Sequence, residues 1–184
     1  MGRPSVRAER RVEVAKAFAR VLGEHGQAGA TIAAVAAEAG IAPGLVHHYF
    51  ESKQDLYEML LEQLLADFRR RLDGYPGDDP LDAYVGAALA LDERSDVAAA
   101  RAWVGVFAEA LGDPSLFAKV RRMMDTEISH VERRARGALS SSDASAVVAF
   151  VIGALVFGAF APKKTAGFAA PSLRKMVSAL RTGA

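Results

Sequence analysis

Apolar residues recur along this chain at the three- and four-residue spacing of helices, and the strict alternation of a half-buried strand is scarce. From residue 7 to 22, Ala8, Val12, Ala15, Phe18, Ala19 and Leu22 share one face, predicting a first helix ended by Gly26 and Gly29. Thr31 is placed to cap a second, short helix. Ile32, Val35, Ala36 and Ala39 form its inner face, and Gly40 supplies its stop. Pro43 suits the first turn of a third helix, whose Val46 and Phe50, four apart, point inward together. "SKQD", residues 52–55, has the form of a capping box. The long helix that follows repeats Leu56, Leu60, Leu64, Phe68 and Leu72, and closes on Arg69, Arg70 and Arg71, cations at the negative end of the helix dipole. "GYPGDDP", residues 74–80, reads as a linker. Beyond it, helices are expected from Asp79-Pro80, from Ser95 through "AARAWVGVFAEAL", from Pro114 to about Leu139, over 144–161, and from Pro171, with "KKTAGFAA" as a loop before the last. The pattern predicts an all-α protein of nine helices, with an N-terminal domain over 1–73 and a second domain over 78–184.

Two short helices joined by a tight turn, behind a lead-in helix, define a helix-turn-helix unit. Ala36 is small where the two helices cross, Gly40 permits a left-handed turn, and Ile41 re-enters the core. With Val46 and Phe50 inward, Pro43, Gly44, Leu45, His47, His48 and Tyr49 remain on or near the outer face, the face expected to enter a DNA major groove. Imidazole N–H groups and the Tyr49 hydroxyl can donate to phosphates, and their apolar bodies can pack on sugar or thymine methyl groups. Lys53 stands at the edge of the same face, and Thr31 offers a phosphate its hydroxyl and a helix N-terminus. Neighbouring histidines diverge by about 100° around a helix, which argues against a shared metal.

Charge sharpens this picture. The whole chain carries +1, but its first 20 residues hold six cations (Arg3, Arg7, Arg10, Arg11, Lys16 and Arg20) against Glu9 and Glu13. Such a basic arm suits a polyanion, and Arg3 and Arg7 could reach an adjacent groove. There is no cysteine, which excludes disulfides and thiolate metal sites and suits a cytoplasmic protein. The charged N-terminus lacks the apolar core of a signal peptide. "AVVAFVIGALVFGAFA", residues 146–161, is shorter than the roughly 20 residues of a membrane span and reads as a buried or dimer helix. No Gly-rich phosphate loop, H-E-x-x-H or G-x-S-x-G occurs, so neither an enzyme nor a cofactor is indicated.

The stretch "TIAAVAAEAGIAPGLVHHYFESKQDLYEMLL", residues 31–61, resembles the DNA-binding domain of the TetR family of bacterial transcriptional repressors, and the basic lead-in helix extends the likeness to about 7–72. The resemblance implies phosphate contacts for Tyr49 and Lys53, and base neighbours at Pro43, Gly44, Leu45 and His48. The chain departs from the family pattern at Ala42, where Ser or Thr is usual, and at His47, where Tyr is usual. "RAWVGVFAEALGDPSL", residues 101–116, is similar to the choline-responsive, BetI-like subgroup, which implies a quaternary-ammonium effector.

The family resemblance also implies a homodimer built on the two terminal helices. The residues agree: Ala149, Gly153, Ala154, Gly158 and Ala161 allow close helix approach, while Phe157 and Phe160 add area. A candidate effector pocket draws on Trp103, Phe107, Phe117, Met123, Met124 and Phe150, although most such residues serve a core. Glu127 stands out among them: it lies on the inward stripe of its helix, where an unpaired carboxylate is costly. Arg101, Arg122 or a cationic ligand could pair it, with Trp103 providing a cation–π face. The sequence thus reads as a ligand-controlled repressor of a palindromic DNA operator. A helical adaptor of the same fold is the competing reading, because Ala42 lacks the Ser or Thr cap and Gly44 and Leu45 offer bases few hydrogen bonds.

Overall fold

The computed structural model describes residues 6–75, 78–89 and 97–182; Arg3 and Ser95 lie outside them. Among the described residues there are nine α-helices and no strand: α1 (Val6–Gly29), α2 (Ile32–Ala39), α3 (Pro43–Tyr49), α4 (Lys53–Asp73), α5 (Pro80–Ala88), α6 (Val97–Ala110), α7 (Pro114–Ala135), α8 (Ser141–Phe160) and α9 (Pro162–Thr182).

The early boundaries follow the local chemistry. Gly26, at φ 65° and ψ −173°, leaves helical geometry, so α1 is two helical pieces that meet at a kink, the second ending at Gly29. The Thr31 hydroxyl accepts the Ala34 N–H (3.1 Å), capping α2. Gly40 turns left-handed at φ 66°, and the Ile41 N–H then reaches the Ala36 carbonyl (3.0 Å). Ala42 opens α3 with no side-chain cap. At α4 only half of the expected capping box forms. Ser52 accepts the Asp55 N–H (3.1 Å), but the Asp55 carboxylate turns to Arg11.

Three later boundaries differ from the sequence pattern. α7 stops at Ala135, where Arg136 (φ 52°) and Gly137 (φ 84°) turn the chain. α8 starts at Ser141, earlier than the apolar run, because Ser140 and Asp143 form a complete capping box. The expected loop "KKTAGFAA" is helical, and Pro171 lies inside α9. Thr165, Ala169, Leu173 and Val177, each four residues apart, are all buried, and this continuous stripe outweighs the hydrogen bond that Pro171 cannot donate.

Contacts divide the chain into two compact units, Met1–Ala66 with Val97–Phe117, and Asp67–Asp96 with Ala118–Ala184. The first packs α2, α3 and α6 on α1, with Phe18 edge-on to Tyr57 at 4.9 Å between ring centroids. The core of the second joins Leu81, Tyr84 and Val85 to Val131, Val147, Val151, Leu173 and Val177. Arg181 pairs with Asp79 (2.6 Å) and Arg174 with Asp82 (2.7 Å), tying α9 to the start of α5. α8 is the one described helix long and apolar enough to cross a membrane; it sinks Ala144, Val147, Val151 and Ala154 into this core.

Candidate nucleic-acid interface

α3 has two distinct sides. Val46 is 0 % exposed and Phe50, its C-cap, 1 %. Pro43, Gly44, Leu45, His47 and His48 are exposed, Leu45 at 43 %, and Tyr49 is half-buried. The His48 and Tyr49 rings meet edge to face at 5.2 Å. Among the described residues no group of three or more His, Asp or Glu side chains could hold a metal.

Arg11 of α1 fixes the back of this helix, a role the sequence pattern did not reveal. Its guanidinium pairs with Asp55 through two hydrogen bonds (2.7 and 3.2 Å) and donates a third to the Tyr49 carbonyl, at the C-terminal end of α3. It also lies over the Phe50 ring, 4.4 Å from the centroid. One cation therefore joins α1, α3 and α4. In the sequence Arg11 belongs to a basic arm and Asp55 to the form of a capping box, and neither pattern points to the other. Arg7, one turn earlier and exposed, donates to the His48 carbonyl at 3.5 Å.

The other expected DNA contacts border the same surface. Thr31 is exposed at the start of α2 with its oxygen engaged as the cap. Lys53 is exposed at the first residue of α4, its ammonium donating to the Gln27 carbonyl at 3.3 Å.

The remaining candidates fall in both units. Trp103 and Phe107 lie in the first, ring centroids 5.5 Å apart, and there Phe117 is exposed. Met123, Met124, Glu127 and Phe150 lie in the second. Glu127 is 6 % exposed, and its Oε2 makes no hydrogen bond of good geometry, although the Tyr84 hydroxyl lies beside the carboxylate. Its Oε1 stands 3.4 Å from His130 Nδ1. Of the arginines expected beside it, Arg101 donates to the Gly23 carbonyl and Arg122 is exposed. Burial, with the Glu127 carboxylate nearby, pushes the Tyr84 hydroxyl above the usual phenol range. On α8, Ala149, Gly153, Phe157 and Phe160 are exposed, whereas Ala154 and Gly158 are buried within the chain itself.

Residues 15–60 match the family described as bacterial regulatory proteins, tetR family. Over 134 residues the chain is 31% identical to the HTH-type transcriptional regulator BetI of Stenotrophomonas maltophilia, across 70% of this chain and 67% of that one. The chain belongs to the TetR family. It is a DNA-binding transcriptional regulator, and α3 occupies the place of the recognition helix. The fold is similar to that of a transcriptional regulator from Rhodococcus sp. Rha1, with a TM-score of 0.83, 24% identity, and coverage of 94% of this chain and 96% of that chain. It is also similar to the multidrug binding protein EbrR, solved in complex with malachite green, with a TM-score of 0.69, 22% identity, and coverage of 91% and 98%.

Proposed function

We propose that the protein is a homodimeric repressor that sets α3 in the major groove of a palindromic operator and leaves it when a small molecule binds the helices beyond α5. The observation that carries this reading is the two-sidedness of α3, with Val46 and Phe50 wholly inside and a continuous outer face from Pro43 to His48. Pro43 and Gly44 let the backbone come close to the bases, Leu45 packs on a thymine methyl, and His48 supplies the base-directed hydrogen bond. Lys53, Tyr49, His47 and Thr31 hold phosphates, and Arg3 and Arg7 reach the neighbouring minor groove. With so few base-directed donors, DNA shape contributes to selectivity. Such a regulator works in the bacterial cytoplasm.

The dimer forms on α8 and α9. Ala149, Gly153, Val156, Phe157 and Phe160 make one exposed apolar stripe on α8, and exposed Phe168 of α9 continues it, its ring 6.0 Å from that of Phe157. A second copy is the occupant, by the two-fold logic of operator binding.

Two substitutions test the DNA contacts. Lys53→Ala weakens binding to every duplex and lowers the slope of log affinity against log salt by roughly one phosphate contact. His48→Ala changes sequence preference more than overall affinity. A Lys53→Ala loss confined to one sequence, or unchanged selectivity in His48→Ala, contradicts these assignments.

The effector is assigned to the cation class through Glu127, a buried carboxylate whose Oε2 makes no hydrogen bond of good geometry. The similarity to regulators named BetI and the malachite green complex of EbrR support that class. Calorimetry with choline and related quaternary ammonium compounds should show binding that weakens in Glu127→Gln. No heat with the wild-type protein removes the cationic effector and leaves the DNA assignment standing.

A further inference from the structure

Three side chains from three helices of the first unit meet beside Lys53. The Lys53 ammonium donates to the Gln27 carbonyl (3.3 Å), and the Gln27 side-chain amide donates to Oε2 of Glu109 on α6 (2.7 Å). Tyr57 is buried beneath them, with the Lys53 ammonium 5.9 Å from its ring centroid. Its hydroxyl has no hydrogen bond of good geometry. Burial raises its pKa, which the adjacent Gln27 amide opposes and the Glu109 carboxylate reinforces.

Gln27 follows Gly26, where α1 kinks, so its placement depends on what holds the kinked segment. α6 lies against α1 at backbone distance just before that point. A Cβ on Gly23 would stand 2.8 Å from the Ala98 Cα, and one on Gly105 would stand 2.6 Å from a Leu22 methyl. Arg101 of α6 donates to the Gly23 carbonyl at 3.1 Å. A shift of α6 therefore carries the end of α1 with it, and the Gln27–Glu109 bond extends the coupling to the kinked segment.

We propose that Gln27 is a positioning residue for Lys53, and that through Glu109 it passes the placement of α6 to the DNA-facing surface. This rests on the reading of Lys53 as a phosphate contact. A lysine ammonium sits on a long flexible stem, and ordering that stem costs binding free energy. The Gln27 carbonyl engages one of its three donors in advance and leaves two for a phosphate. When α6 shifts, Glu109 draws the Gln27 segment with it, and the Gln27 carbonyl takes the Lys53 ammonium away from its place on the DNA-facing surface. A surface hydrogen bond with no such role would contribute little and would act independently of Lys53.

The test uses the full chain and a fluorescein-labelled duplex of mixed sequence, with affinity read by anisotropy over a series of salt concentrations. Gln27→Ala and Glu109→Ala should each weaken binding about fivefold, the worth of one hydrogen bond. Glu109→Gln removes the same charge but keeps an acceptor for Gln27, so it should bind more tightly than Glu109→Ala. In a Lys53→Ala background the effects of Gln27→Ala and of the Glu109 pair should vanish. Losses that add independently to that of Lys53→Ala overturn the proposal, as does tighter binding from Gln27→Ala. If Gln27→Ala fails to fold, as judged by circular dichroism, the Glu109 pair carries the same comparison without altering α1. A Lys53→Ala protein with wild-type affinity and salt slope removes the phosphate reading itself, and the relay falls with it. Loss in Lys53→Ala with no coupling to Gln27 or Glu109 removes the relay alone.

Discussion

Replacing Arg11 with methionine keeps most of the aliphatic packing and removes every polar contact of the guanidinium. Three interactions disappear. The first is the paired hydrogen bond to Asp55, in which both side chains are less than a third exposed, at 27% and 28%. At this burial a bidentate pair contributes about 1 kcal/mol or somewhat more. The second is the bond to the Tyr49 carbonyl, worth roughly 1 kcal/mol. The third is the stacking on Phe50, worth about 0.5–1 kcal/mol. Because all three share one group they do not add fully, and a total near 2–3 kcal/mol is expected. For a chain of this length that lowers Tm by about 4–12 °C. Thermal and urea denaturation of Arg11→Met, Asp55→Asn and the double variant measure the stability and the coupling. The double variant should lose less than the sum of the singles by about 1 kcal/mol. DNA affinity should fall further than stability alone explains, because the C-terminal end of the recognition helix is no longer held. A stability loss below about 0.5 kcal/mol, with no coupling to Asp55, would refute the account of Arg11 as the group that joins α1, α3 and α4.

Three further outcomes follow from other contacts. Gly23→Ala should destabilise by roughly 1–3 kcal/mol, because the new Cβ meets Ala98 backbone atoms. Gly105→Ala should cost less, since it meets side-chain carbons of Leu22, which can shift, rather than backbone; urea denaturation ranks the two, and the reverse order contradicts the packing described. The Arg181 guanidinium holds the Asp79 carboxyl well below the usual carboxylate range. With the folded pKa depressed, its contribution is complete above the unfolded value of about 3.9 and is lost as pH falls toward the folded one. Thermal melts should therefore show the advantage of wild type over Asp79→Asn, which retains a capping oxygen, constant from pH 7 to about 5 and shrinking below about 4. An advantage that persists unchanged at lower pH contradicts the assignment. Phe160 is 81% exposed, so Phe160→Asp should leave the fold of one chain intact and shift sedimentation from dimer to monomer. An unchanged dimer places the interface elsewhere.

The DNA-binding half was legible because its signals are local. Thr31, Gly40 and Pro43 fix helix ends by their own chemistry, and Val46 and Phe50 at i and i+4 settle which face of α3 turns inward. What escaped was long-range. Arg11 and Asp55 lie 44 residues apart, and nothing in their local sequence pairs them. The same holds for Gln27 and Glu109, 82 residues apart. Pro171 is a local helix breaker that tertiary burial overrides: the stripe from Thr165 to Val177 holds α9 together across the proline. On α8, apolar on nearly every side, composition could not say which residues face the chain's own core. Ala154 and Gly158 share the small size of Gly153, yet only Gly153 is exposed. Glu127 was legible as inward-facing from its place on the α7 stripe, with His130 three residues on, while its neighbour Tyr84 emerged only from the packing.

The most direct test of the central claim is selection of bound duplexes from a random DNA library by the purified full-length protein at near-physiological salt. The account predicts a palindromic motif whose half-sites are separated by about one helical turn or a multiple of it, and loss of that motif's enrichment with His48→Ala. Recovery of no motif by a folded, dimeric protein, with or without quaternary ammonium compounds present, would contradict a sequence-reading role for α3.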